Sequence, residues 1–193
     1  MCTVSMRLLL QKTDNYVYTP RDWVLAHRGV EFCEYCGKVR RELYPRSIDT
    51  AIAHPELLPT AGTTDNLRLG VMHIELRRLL QPWMSHFVFG RCLTIDGHVI
   101  LTHVTFYSAR YVVLQTTPDL YYDCERCGVR VGHWGDLPIR LAKEQLDGRQ
   151  VVEDAVNGLY VSERLVQSID WSRFPDLELL DVELVSSDES SEP

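Results

Sequence analysis

The sequence Cys-x-x-Cys-Gly occurs twice in this chain, as Cys33-Glu34-Tyr35-Cys36-Gly37 and as Cys124-Glu125-Arg126-Cys127-Gly128. Such a turn aims two thiolates at one point while its backbone N–H groups face the sulfurs. The glycine that follows frees the backbone to adopt positive φ. One turn supplies half of a tetrahedral site with sulfur about 2.3 Å from zinc, and two turns fill it. Between Cys36 and Cys124 lie 87 residues, far more than a compact zinc finger contains. The fold must therefore bring the two turns together. Four thiolates close the coordination sphere, so an ion held by Cys33, Cys36, Cys124 and Cys127 is structural rather than catalytic. Iron in a rubredoxin-like site and disulfides remain open alternatives. A redox dithiol is disfavoured, because neither pair follows a strand and opens a helix. Cys92, in an apolar run, reads as a small buried hydrophobe, and Cys2 as a terminal thiol. His133, six residues after Cys127, reads as a surface or supporting residue rather than a ligand.

Composition narrows the remaining choices. A chain of 193 residues, 45% hydrophobic and 24% charged, is that of a soluble globular protein large enough to bury its own core. No run approaches the roughly 18–20 apolar residues of a membrane span. Leu8-Leu9-Leu10 is too short for the core of a secretion signal. A cytoplasmic location follows as the expectation, where thiols stay reduced and cysteine clusters bind metal. The net charge of −7 is concentrated in residues 176–193, which hold seven acidic residues and no Lys or Arg. The remainder has 20 acidic and 20 basic residues and is neutral. That argues against general nucleic-acid affinity, which needs excess cations facing phosphates. A small basic cluster, Lys38-Val39-Arg40-Arg41, keeps a nucleic-acid-associated zinc ribbon as the alternative, favoured if Arg40, Arg41, Arg126 and Arg130 share one face.

The pattern of elements is that of an α+β fold. Arg7–Gln11 suits an opening strand, and 14–28 resists assignment. Pro45, Pro55, Pro59 and Gly62 mark a stretch that reads as loop. Leu67–Leu80 carries helical spacing with Asp65 or Asn66 as cap and Pro82 beyond its end. From His86 to Gln115, β-branched and aromatic runs around Asp96-Gly97 predict two to four antiparallel strands at the centre of the fold. Asp136–Leu146 reads as a helix with Gly148 past its end, Leu159–Val161 as a strand, Ser162–Ile169 as a capped helix and Leu177–Val185 as a closing strand. Residues 186–193 read as a disordered acidic tail. Apart from the cysteine motifs, no internal repeat is visible. The expected architecture is one α+β domain over 1–185, with a central antiparallel sheet, about three helices and a split zinc ribbon formed by the two distant turns.

These motifs resemble the double-CXXCG family known chiefly from myxobacteria, which includes immunity proteins against Sit-type toxins. Gly158-Leu159-Tyr160-Val161-Ser162-Glu163-Arg164-Leu165, followed by Leu177–Leu184, is similar to the closing strand–helix–strand of that family. Glu34-Tyr35 and Glu125-Arg126 stand where the family usually carries Pro or another small residue. The resemblance implies a structural Zn2+ at the four cysteines and a non-catalytic protein whose partner is a toxin. No acid–base set, nucleophile elbow or phosphate loop argues for an enzyme. Exposed aromatics such as Tyr16, Tyr18 or Trp23, together with the acidic edge at 176–185, form the candidate surface for that partner.

Overall fold

A computed structural model of the chain describes residues 5–11, 17–28, 33–36, 48–64, 69–110, 112, 121–128, 130–132, 139–154 and 158–186. The fold is mixed α+β. Its strands are β1 (Met6–Gln11), β2 (Thr50–Ile52), β3 (Ala61–Thr63), β4 (Gly70–His73), β5 (Phe87–Thr94), β6 (Val99–Ser108), β7 (Tyr121–Asp123), β8 (Arg130–Gly132), β9 (Arg140–Ala142), β10 (Val151–Glu153), β11 (Leu159–Ser162) and β12 (Leu177–Val185). Four helices accompany them: α1 (Arg21–Arg28), α2 (Ile74–Leu80), α3 (Lys143–Leu146) and α4 (Glu163–Val166). One five-stranded sheet runs β10-β11-β1-β12-β9, and a second runs β3-β4-β6-β5-β2. β7 and β8 form a separate hairpin. No helix among the described residues is long and apolar enough to cross a membrane.

The two sheets have the same topology. In each, the first three neighbouring pairs are antiparallel and the last, β12 with β9 or β5 with β2, is parallel. The registers agree up to a bulge between Arg91 and Leu93 that β12 lacks: Leu9 pairs with Leu159 and Leu179, as Phe106 pairs with Gly70 and Phe89. Connecting hydrogen bonds repeat as well. Val17 N–H donates to Thr63 O at 3.3 Å and Val112 N–H to Glu153 O at 2.8 Å. His73 N–H donates to Thr60 O, and Ser162 N–H to Gln150 O, both at 2.8 Å. β2 and β9, β3 and β10, and β5 and β12 each start 90 residues apart, and the paired cysteines lie 91 apart. The chain is thus a tandem repeat, residues 6–94 and 99–185. Each repeat lends its first strand to the other: β1 sits among β9–β12, and β6 among β2–β5.

The repeats bury one common core. It pairs Ala61 with Val151, Met72 with Val161, Leu76 with Leu165, Leu80 with Ile169, Met84 with Phe174 and Phe87 with Leu177. Each of these side chains larger than Ala61 is worth about 1.5–3 kcal/mol on burial. The outer sheet faces are covered separately. Met6, Leu8, Val152, Tyr160 and Val182 pack on one side, and Val17, Ile52, Val71 and Cys92 on the other. α1 adds Val24 against Ile48 and Leu69.

This arrangement corrects several expectations. There are two five-stranded sheets instead of one central sheet, and the internal repeat extends well beyond the cysteine motifs. The expected loop over 45–62 contains β2 and β3. Within the expected helix over 67–80, the described residues form β4 followed by a helix starting at Ile74, capped by His73 Nδ1 accepting from Glu75 N–H; the expected caps Asp65 and Asn66 lie outside the described residues. The expected helix over 136–146 contains β9, where Leu141 points inward and Arg140 pairs with Glu183. Among the described residues of that span, 139–146, only Lys143–Leu146 is helical. β1, the Asp96-Gly97 hairpin, β11 and β12 fall where the sequence placed them, and Ser162 caps α4 by accepting from Leu165 N–H. The expected tail beyond Ser186 lies outside the described residues.

Candidate metal centre

The second cysteine turn is held between β7 and β8, whose pairing sets Tyr121 opposite Gly132 and Asp123 opposite Arg130. At its end Gly128 takes φ +66°, a conformation that side chains rarely adopt. Its N–H donates to Cys124 O at 2.7 Å, closing the turn. The first turn, Cys33–Cys36, has the same turn conformation; Gly37 lies outside the described residues.

The fold brings the two turns face to face. Cys33 Sγ lies 3.7 Å from Cys124 Sγ, and Cys36 Sγ lies 3.6 Å from Cys127 Sγ. All four sulfurs fall within 4.8 Å of one another, so they form a group able to hold a metal ion. A regular tetrahedron with sulfur about 2.3 Å from its centre has edges of about 3.8 Å, and the two short separations match it. First cysteine faces first, and second faces second. The centre therefore lies on the approximate two-fold axis that relates the repeats. Cys124 is buried and the other three are half-buried, while Glu34, Tyr35, Glu125 and Arg126 are exposed on the rim. The Cys33 thiol is lowered to about 6, chiefly because the Cys36 backbone N–H donates to it, against the opposing effect of burial. Such hydrogen bonds favour the thiolate, the form that ligates metal.

Other candidate residues fall elsewhere. Cys92 is fully buried, which pushes its thiol up to about 12 and makes it an inert core residue. Cys2, His133, Arg40 and Arg41 lie outside the described residues, as does the side chain of Arg130; Arg126 is exposed. His98 is exposed beside the hairpin tip, whereas His103 is buried with its ring 5.0 Å from that of His73. The His73–His103 pair has no signature in the sequence, because residues 73 and 103 become neighbours only through the register of β4 with β6. Along the candidate aromatic and acidic surface, Glu178, Asp181 and Glu183 are exposed, and several members also have partners within the chain. Trp23 packs against the core, Asp176 accepts from Thr60, Asp181 pairs with Arg7 and Glu183 with Arg140. Tyr18 is exposed, and Tyr16 lies outside the described residues.

A scan against models of known protein families gives no match, and a search of curated proteins likewise finds none.

Proposed function

We propose that Cys33, Cys36, Cys124 and Cys127 bind one structural zinc ion as a split zinc ribbon, and that the protein is a non-catalytic binding protein of the immunity type, neutralising a toxin. The carrying observation is the convergence of four sulfurs from two distant turns, with short separations of 3.6 and 3.7 Å. Four thiolates leave no position for water or substrate, which supports an architectural role. Zinc is chosen over iron because reduced thiolate tetrahedra without redox duty are its commonest setting. The toxin partner rests on the resemblance of the paired motifs to the double-CXXCG family.

Two measurements test the two parts separately. Elemental analysis of protein purified without chelator is expected to give one zinc per chain. A colourless protein with no metal and four free thiols would sink the metal reading, and a red iron chromophore would replace zinc with iron. Co-expression with the product of the adjacent gene is expected to rescue growth and to co-purify the pair. Failure of both, with turnover of a small substrate that survives loss of all four cysteines, would make the protein an enzyme.

A further inference from the structure

The repeat permits each site to be compared with its counterpart, and one pair of counterparts has diverged. α2 and α4 start from equivalent caps, His73 and Ser162, so Glu75 corresponds to Arg164 and Leu79 to Ser168. Each helix is followed by a 3-10 turn, Gln81–Trp83 or Trp171–Arg173, which makes Trp83 the counterpart of Arg173. On one side of the molecule the turn of one repeat is tied to the helix of the other: Arg173 donates to Glu75 Oε2 at 3.2 Å. On the opposite side Trp83 and Arg164 take those two places. There they line a cleft of about 320 Å³ with Gln150, Leu165 and Ser168. Arg164 has no ion pair or hydrogen bond among the described residues, and Trp83 is 39% exposed. The cleft is open because Ser168 is small where Leu79 packs against the core. Its polar wall is fixed: Gln150 Oε1 accepts from Ser162 Oγ, and Ser168 Oγ donates to Leu165 O.

We infer that the cleft between Trp83 and Arg164 is a binding site for a small aromatic carboxylate. The closed side shows what this position accommodates, namely a carboxylate meeting a guanidinium across the repeats. In the open cleft the guanidinium belongs to the helix and a flat indole replaces the partner on the turn. A ligand that offers a carboxylate to Arg164 and an aromatic face to Trp83 completes the contact that Glu75 and Arg173 complete internally. Arg binds carboxylates through paired N–H donors, and an indole face stacks on aromatic rings. The volume lies at the lower end of the range for small-molecule sites, about 300–1,000 Å³. The site is independent of the cysteines and of the toxin reading.

The probe is phenylacetate, titrated into the full chain with its metal, with phenylacetamide as the neutral match. The readout is the indole N–H resonance of Trp83, assigned by its loss in Trp83→Phe and compared with the other three tryptophans. A saturable shift confined to Trp83 is expected, with the amide binding at least tenfold more weakly. Arg164→Met should bring the acid down to the level of the amide, and Ser168→Leu should abolish both. Binding of acid and amide with equal affinity, an unchanged response in Ser168→Leu, or no saturable shift would overturn the assignment. Both substitutions fall at exposed positions, and unaltered spectra of the other tryptophans confirm that each variant is folded.

Discussion

Cys124 is the buried member of the four clustered cysteines and Cys33, 3.7 Å across the cluster, belongs to the other repeat, so removing one sulfur affects both halves. Cys124→Ser should lose the metal and several kcal/mol of stability. That is less than the about 10–16 kcal/mol that zinc contributes to peptides unable to fold without it, because this chain has its own core. Metal content and denaturant unfolding read by circular dichroism check both numbers; an unchanged midpoint after full metal loss would make the ion peripheral. His103 gives a second prediction. Burial, reinforced by His73, lowers its pKa from 6.5 to about 4, while Pro59 O and Asp176 act in the opposite direction. Between these values the unfolded chain binds a proton that the folded chain refuses. This contribution is therefore complete above pH 6.5 and is lost as pH falls to about 4, by on the order of 3 kcal/mol. His103→Gln should flatten that slope, seen as a stability difference from the parent chain that shrinks between pH 7 and pH 4.5. The clustering of the four cysteines was legible in the sequence because each half of the group is carried by adjacent residues. His73 and His103 were not, since only the fold makes them neighbours.

Elements with local signals were legible: the hairpin at Asp96-Gly97, the Ser162 cap and the long strand Leu177–Val185. Three-residue strands such as β2, β3 and β9 were not, because three residues cannot display a period, and their extended form comes from parallel or antiparallel neighbours. The repeat was hidden for a related reason. Where β4 meets β6, Gly70 faces Phe106; where β11 meets β1, the same positions hold Leu159 and Leu9. The space is filled in both cases, once by a large and a small residue and once by two of middle size, so the sequences diverge while the packing holds. A Cβ on Gly70 would collide with the ring of Phe106. Gly70→Ala should accordingly cost about 1–3 kcal/mol. Gly70→Leu combined with Phe106→Leu should be more stable than Gly70→Leu alone, measured by urea unfolding. Additive losses would mean that the two residues do not share that space.

At the scale of the whole molecule, the hairpin joining β5 to β6 has a counterpart in the gap between β12 and β1. Met6 pairs with Val182, so Ser186 and Ser5 lie near the same edge. A permuted chain that links Ser186 to Ser5 through a short flexible loop and opens between Asp96 and Gly97 should fold, with a melting temperature within a few degrees of the parent. Gly97 takes φ +85° in an exposed turn, and opening the chain there removes no core contact. A permuted chain that remains unfolded would show that the link between β5 and β6 is needed for more than connection.

The exchange of first strands also sets the order in which a nascent chain can fold. β1 is made before every other described strand, yet its neighbours β11 and β12 are made after all the rest. At 5–20 residues per second, synthesis of the intervening residues takes roughly ten to thirty seconds. The other sheet can close as soon as β6 is out, whereas β1 waits unpaired until β11 and β12 have been made. A cell making this protein must shelter that apolar strand for the whole interval, and a ribosome stalled before residue 159 would leave it with nothing to join.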